Sequence, residues 1–278
     1  MPIVRLLSWN IQWCRGMDGR VDPARIAREA QAMADPDVCC FQEVAAGYDT
    51  LAGSSGEDQF RLLAEAFPGY TAHAAWAVDV PGGPRGRRRF GNLVLSRLPV
   101  RQVLRHSLPC PLEDDTPGMP RVAVEAIVEA PWGPLSVATT HLEYYSARAR
   151  IAQASRLAEL ARERQAQAVT RPSDKYASGP FQPFARPVDG LLTGDFNMRR
   201  DDPAFGILRG AFEDAWALAH PDRPQPATFG RFDRQFASEP YCCDFAFVTP
   251  GLASRLVDVR VNEDTQSSDH QPVIVAFR

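Results

Sequence analysis

The sequence predicts an α/β protein, on three observations. Short apolar runs of β character recur from Ile3 to Phe277, and stretches with helically spaced apolar residues separate several of them. Many of the β runs end in a carboxylate, a carboxamide or an imidazole, the place where open α/β sheets hold ligands. With 278 residues, 45% of them hydrophobic, the chain can bury a large core, as one large domain or two small ones.

The stretch 188–200 shows the pattern most clearly. Leu191-Leu192 reads as a buried strand ending at Thr193-Gly194, where glycine lets the backbone turn without a Cβ penalty. Asp195 and Asn197 follow two residues apart, so in extended backbone they share a face. An Asx turn capping the next helix is the alternative use of the same residues.

In chain order, residues 3–9 form a strand that ends at Asn10, a turn residue that also offers a neutral oxygen to a hard cation. Asp22-Pro23 opens a helix through Ile26, Ala30 and Met33. A second apolar run, 37–43, terminates in Glu43; a salt bridge or a metal would explain a carboxylate two residues past a buried Phe41. Phe60, Leu63, Ala64 and Phe67 give a helix stopped by Pro68-Gly69. Residues 70–78 read as a strand, 81–89 as a flexible cationic loop ending in Arg87-Arg88-Arg89, and 92–96 as the next strand. Such a loop is a solvated surface or, over a site, a bidentate grip on phosphate oxygens.

Strands over 100–108, 121–129 and 135–140 follow, the last leading into His141. Ser146 caps a long helix through Ile151, Ala154, Leu157 and Leu160, with Arg150 and Gln153 on one face. Residues 165–187, around Lys175 and Tyr176, are polar and Pro-rich and read as a long loop insertion and a candidate substrate rim. Short helices at 203–208 and 212–218 precede a buried strand carrying Asp244, a strand over 256–261, and Asp269-His270 immediately before the last strand.

Composition narrows the partners. A net charge of −3 and a pI of about 6.0 give no global basic field for nucleic acid, although a local patch would suffice. Six cysteines include the vicinal pairs Cys39-Cys40 and Cys242-Cys243 inside apolar runs and no Cys-x-x-Cys, the pattern of buried small hydrophobes. No leader or membrane-spanning run is visible, so the expectation is a cytoplasmic protein acting as a monomer.

Together the strand ends Asn10, Glu43, His141, Asp195 with Asn197, Asp244, and Asp269 with His270 supply what phosphoester hydrolysis needs. The set offers oxygens for a divalent cation, a base for water, and donors for developing charge. At this point the sequence resembles the endonuclease/exonuclease/phosphatase superfamily with the DNase I-like fold. The resemblance runs through Ser-Trp-Asn10, Phe-Gln-Glu43-Val, Thr-His141-Leu, Gly-Asp195-Phe-Asn197, Cys-Asp244-Phe and Ser-Asp269-His270, in family order across nearly the whole chain. It implies one domain over 1–278, a four-layer α/β sandwich of two mixed sheets packed face to face with helices outside, and a site at the sheets' shared edge.

By that resemblance Glu43 would hold Mg²⁺, with Mn²⁺ as a substitute, helped by Asn10 and by Asp269 directly or through water. Asp195 would activate the attacking water and Asn197 would hold a phosphate oxygen. His141 and His270 would donate to non-bridging oxygens, with Asp244 fixing the His270 tautomer; His270 as the general base is the alternative. Arg87, Arg88, Arg150 and Arg199 are the candidate substrate-binding residues. Gln12, where abasic-site endonucleases of the superfamily carry an acid, and His141, where they carry tyrosine, point away from that branch. The implied activity is metal-dependent phosphodiester hydrolysis on nucleic acid or a nucleotide-like diester. A small or lipid-derived phosphate and a catalytically inactive binding protein are the alternatives.

Overall fold

Two parallel strand pairs, each at the middle of its own sheet, organise the chain. In the first, β1 (Val4–Asn10) runs beside β2 (Val38–Ala46), with Asn10 opposite Gln42. In the second, β7 (Gly133–His141) runs beside β8 (Gly190–Asp195), with His141 opposite Asp195. Parallel neighbours need a crossover, usually a helix. Here α1 (Pro23–Ala34) joins β1 to β2, and α3 (Ala147–Ala168) joins β7 to β8. Both start where the sequence predicts: the Asp22 side chain accepts from the Arg25 N–H ahead of Pro23, and Ser146 Oγ accepts from the Ala149 N–H.

Antiparallel strands complete each sheet. β3 (Thr71–Pro81), β4 (Arg87–Ser96), β11 (Leu256–Val261) and β12 (Val273–Phe277) give the order β11–β12–β1–β2–β4–β3. β5 (Val100–Leu108), β6 (Arg121–Ala130), β9 (Glu213–Asp214) and β10 (Asp244–Val248) give β5–β6–β7–β8–β10–β9. The structure is a computed structural model and describes residues 3–83, 86–171, 179–182, 184–233, 235 and 238–278.

The period-2 alternation of the central strands builds the layers. Val4, Leu6, Val38 and Cys40 face the other sheet and meet Val124, Val137, Leu191 and Ala246. Their alternates Leu7, Trp9, Cys39 and Phe41 face outward, under Ile26 of α1 and Leu63 of α2 (Gln59–Ala66). Phe196, Phe245 and Phe247 on the far side lie under Leu157 of α3 and Phe205 of α4 (Pro203–Arg209). The result is helix, sheet, sheet, helix, as the resemblance implies. Cys39 and Cys40 point to opposite faces of one strand, both fully buried and unbonded, as small hydrophobes. Among the described residues no helix is long and apolar enough to cross a membrane.

Several expectations change. β4 begins at Arg87, so Arg87–Arg89 belong to the β3–β4 hairpin and are not a free loop; Pro84 and Arg85 at its tip lie outside the described residues. α3 extends to Ala168, so 165–168 is helix. The segment after it returns to Gly190, at the start of β8 and opposite Ser136, whereas the predicted site residue Asp195 ends that strand. A 22-residue helix is roughly 33 Å long, so it carries the chain from the His141 end of the sheet to the other. Residues 172–178 and 183 of the expected substrate rim, Lys175 and Tyr176 among them, lie outside the described residues. The predicted helix at 212–218 is split: Glu213–Asp214 forms β9, and Asp214 caps α5 (Ala215–Ala219) through the Trp216 and Ala217 N–H groups. One short helix, α6 (Pro250–Ala253), was not anticipated.

Candidate active site

Strand polarity gathers the polar ends. β1, β2, β7 and β8 all run toward the same edge and deliver Asn10, Glu43, His141 and Asp195 there. β10 and β12 are antiparallel to β8 and β1, so their starts meet those ends; Asp244 pairs with Asp195, and His270 lies just before β12. Gln42 knits the sheets beneath this edge, donating from Nε2 to Thr139 Oγ1 (2.8 Å) on β7 and Ser8 Oγ (3.3 Å) on β1.

Local backbone irregularities aim the side chains. The β2–β4 register slips between Phe41 and Val44, and within that bulge Glu43 adopts φ +58°. A left-handed non-glycine residue costs roughly 1–2 kcal/mol, and such conformations cluster at functional sites. Gln12, Trp13 and Cys14 are three consecutive left-handed residues, at φ +44°, +43° and +61°. None of the three is glycine or asparagine, so nothing in the sequence signals this turn. At Gly194, with φ +143°, an added Cβ would lie 2.0 Å from the Thr140 carbonyl oxygen, so only glycine lets β8 approach β7 this closely.

Asp195 is the hub, 1% exposed. Its Oδ1 accepts from the Asn197 N–H (2.9 Å) and its Oδ2 from Asn10 Nδ2 (2.9 Å). The same Oδ2 is 3.5 Å from His141 Nε2 and 3.6 Å from His270 Nε2. His270 Nδ1 lies 2.9 Å from Asp244 Oδ2, the pairing expected from the sequence. Trp9 Nε1 holds the His270 carbonyl (2.9 Å), and the Phe229 ring packs on the imidazole at 4.6 Å.

Two amides already have partners. Asn10 Oδ1, the oxygen expected to meet a cation, accepts from the Gln12 N–H (3.1 Å), and Nδ2 faces Asp195 and Glu43 Oε1 (3.0 Å). A backbone N–H has only donors to offer, which fixes the orientation. Asn10 therefore bridges two carboxylates through Nδ2, while its Oδ1 meets the Gln12 N–H with one of its two lone pairs. Asn197 Nδ2 donates to the Leu142 carbonyl and contacts His141 Nε2, both at 2.9 Å, so gripping a phosphate oxygen requires exchanging one of these bonds.

The two imidazoles differ in charge. Burial, then the Arg121 guanidinium, push His141 down to about 3, leaving it neutral. Burial also disfavours a charged His270, but Asp244 and then Asp195 outweigh it and raise this imidazole well above its ordinary value. Burial raises the Asp195 carboxyl, yet the charge on His270 and the surrounding donors leave it below its usual range. Burial, then repulsion from Asp269, push Glu43 up to about 7.

These residues suit a hard cation. Ligand atoms of Glu43, His141 and Asp195 lie within 4.8 Å of one another, and the Glu43–Asp269 repulsion is of the kind a divalent ion relieves. Asp269 is itself 6% exposed, with Oδ2 accepting from Gln12 Nε2 at 2.7 Å.

A cavity of about 260 Å³ opens above this set. Its wall adds residues the sequence reading missed: Gln12, Trp13, Phe90, Met119, Arg121, Tyr144, Tyr145 and Phe229. They come from separate loops and strand ends, and no periodicity marks them. Arg121 is buried with Nε 3.3 Å from Glu143 Oε2, while its Nη1 has no hydrogen-bond partner.

The candidate arginines fare differently. Arg87 is tied to Asp79, through its side chain and its carbonyl, and Arg88 lies 3.5 Å from Asp49 and over the Tyr48 ring. Neither lines the cavity. Arg150 is engaged within the protein: Nε and Nη2 hold Asp202 (3.0 and 2.8 Å), Nη1 holds the Glu143 and Tyr144 carbonyls, and the residue lines a cavity together with Arg199. Arg199 stacks on Tyr241 at 4.3 Å, 3.3 Å from Glu239, beside a second cavity of about 410 Å³ that shares Asn197 and Tyr144 with the first.

Comparison with known proteins agrees with this architecture. The model of the Endonuclease/Exonuclease/phosphatase family matches residues 7–270. No curated protein matches the chain. Among similar solved structures, the endonuclease/exonuclease/phosphatase from Beutenbergia cavernae DSM 12333 has 22% identity and a TM-score of 0.73, over 100% of this chain and 72% of that one. The mannosyl-6-phosphatase of Bacteroides thetaiotaomicron VPI-5482 has 20% identity and 0.65 over 98% of each. The human Nocturnin catalytic domain with bound sulfate anion has 18% and 0.65 over 100% and 93%. Identities this low establish shared fold alone. The family match over nearly the whole length, on a helix–sheet–sheet–helix sandwich with these strand-end residues, shows that the chain belongs to the endonuclease/exonuclease/phosphatase family, hydrolases that act on phosphoesters.

Proposed function

We propose that the protein is a divalent-metal-dependent phosphodiesterase, acting on a nucleic acid or nucleotide-like diester by in-line attack of a water activated by Asp195. The observation that carries this reading is the asymmetry around Asp195: a buried, ionised carboxylate between a neutral and a charged imidazole, 3.5 and 3.6 Å away. A carboxylate in that setting can take a proton from water while His270 donates to a phosphate oxygen that gains charge. Asp244 keeps His270 oriented and cationic through the 2.9 Å contact at Nδ1. Arg121 Nη1, which has no partner, and Asn197, once it exchanges one of its present bonds, add donors from the lining of the same cavity.

Mg²⁺, or Mn²⁺ in its place, bound by Glu43 with Asp269, would supply Lewis-acid polarisation of the phosphate. A cytoplasmic monomer belongs to the same reading. A small or lipid-derived phosphate is the second reading, favoured by the ion pairs that Arg87 and Arg88 already make with Asp79 and Asp49. The complete polar set weighs against an inactive binding protein.

The test is hydrolysis of bis-p-nitrophenyl phosphate and p-nitrophenyl phosphate with Mg²⁺, Mn²⁺ or EDTA, beside single-stranded and duplex DNA. EDTA-sensitive diester turnover, lowered about 100-fold or more by Asp195→Asn, is expected. Monoester turnover with intact DNA would transfer the assignment to a small phosphate. Full activity in EDTA or in Asp195→Asn would overturn the mechanism.

A further inference from the structure

We propose that Trp13 is an aromatic platform that selects phosphoesters carrying a flat ring beside the scissile phosphate; this deepens, and rests on, the functional reading above. The first observation is conformational. Trp13 stands in the middle of three consecutive left-handed residues, a backbone that L-residues avoid, and the surroundings hold it there. Gln59, fully buried, donates from Nε2 to the Trp13 carbonyl (2.8 Å), and Gln12 Nε2 is held by Asp269 Oδ2. The indole is fixed as well, its Nε1 donating to the Ala52 carbonyl at 3.0 Å. Strain retained in this way points to a required side-chain position. The ring so positioned is only partly buried and forms part of the wall of the catalytic cavity.

The second observation is the chemistry of that wall. Among the described residues that line the cavity, Arg121 is the one guanidinium, which suits a single phosphate. Phe90, Met119 and Tyr145 line the same cavity as Trp13, so affinity beyond the phosphate comes from aromatic and apolar contact. The cavity, about 260 Å³, has room for one ring beside the phosphate.

The third is an unanswered polar atom. Gln12 is 5% exposed, and because Nε2 is committed to Asp269, Oε1 is the free end of the amide; it is buried without a partner. Gln12 lines the cavity, and a buried acceptor left open there calls for a donor, which a ligand that reaches it can bring. A nucleobase edge provides both the flat face and such a donor. A simple aryl ester provides the face alone.

Calorimetric titration in the presence of Mg²⁺ tests this without turnover, using inorganic phosphate, cyclohexyl phosphate, phenyl phosphate and thymidine 5′-monophosphate as probes. Phenyl phosphate is expected to bind the wild type roughly tenfold more tightly than cyclohexyl phosphate, the size of one aromatic stack. Thymidine monophosphate tighter still would assign the ring to a nucleobase, whereas weaker binding than phenyl phosphate would assign it to an aryl group. Trp13→Leu should erase the planar-ring advantage, and Trp13→Phe should keep most of it. Equal binding of phenyl and cyclohexyl phosphate by the wild type, or a ring advantage that survives in a folded Trp13→Leu, would overturn the proposal. No binding of any phosphate would instead refute the phosphoesterase reading beneath it.

Discussion

Substituting Gly194 by alanine asks whether the close approach of β7 and β8 sets the active site. The new Cβ would lie 2.0 Å from the Thr140 carbonyl oxygen, where side chains keep at least 3.0 Å, and φ is +143°. The clash is with backbone in the middle of a sheet, so no side-chain rotation relieves it. The strands must part by about 1 Å, at a cost of roughly 1–3 kcal/mol for overpacking, with about 1–2 kcal/mol more for the backbone conformation. At roughly 2–3 °C per kcal/mol for a chain of this size, the melting temperature should fall by roughly 5–15 °C. The next pair in register is His141 with Asp195, so the same displacement separates the two catalytic groups. A misplacement of about 1 Å can cost on the order of 100-fold in rate. Differential scanning calorimetry with bis-p-nitrophenyl phosphate kinetics reads both quantities. Gly206→Ala is the control: it lies inside α4 with nothing within 4 Å of its added Cβ, and should stabilise by about 0.5–1 kcal/mol. A Gly194→Ala protein that melts within 2 °C of wild type (about 1 kcal/mol) and keeps its rate would refute this account of the β7–β8 pairing.

Three further outcomes are expected. Glu43→Gln should raise the Mg²⁺ concentration for half-maximal activity by about tenfold or more; an unchanged titration would remove Glu43 from the metal shell. Arg150→Met should lower stability by about 3–5 kcal/mol, because Asp202 loses its partner in a half-buried setting, while KM stays within about twofold; a KM effect without a stability loss would assign it a substrate role. At Glu125, burial acts to raise the carboxyl, but His106, Ser136, Arg186 and Arg164 outweigh it and hold it at about 2. A folded-state value below the unfolded one stabilises above about pH 4.5 and is lost as pH falls toward 2, an effect of roughly 3 kcal/mol. Urea titrations at pH 7 and pH 3 should show that loss in the wild type and a much smaller one in Glu125→Gln; parallel losses would assign the acid sensitivity elsewhere.

By itself the sequence determined most of the elements and named candidates for the site. Apolar period and capping are local, so α1 starts at Asp22-Pro23, α3 starts at Ser146, and β11 spans 256–261 as read. Glu43, inside β2, and His141, Asp195 and His270 at strand ends are likewise legible as candidates, because each side chain's chemistry is out of place on an apolar run. Tertiary structure decided the rest, for reasons that are not local. Arg87, Arg88 and Arg150 look like phosphate grips in the sequence, and only folding brings Asp79, Asp49 and Asp202 within their reach. The Asn10 amide faces nitrogen-first because a backbone N–H two residues on claims its oxygen. The left-handed conformations at Glu43 and at Gln12 to Cys14 oppose intrinsic preference, so they exist only where packing and hydrogen bonds outweigh it. The end of the sheet at which α3 finishes follows from its length against β7, a geometric consequence that composition does not carry.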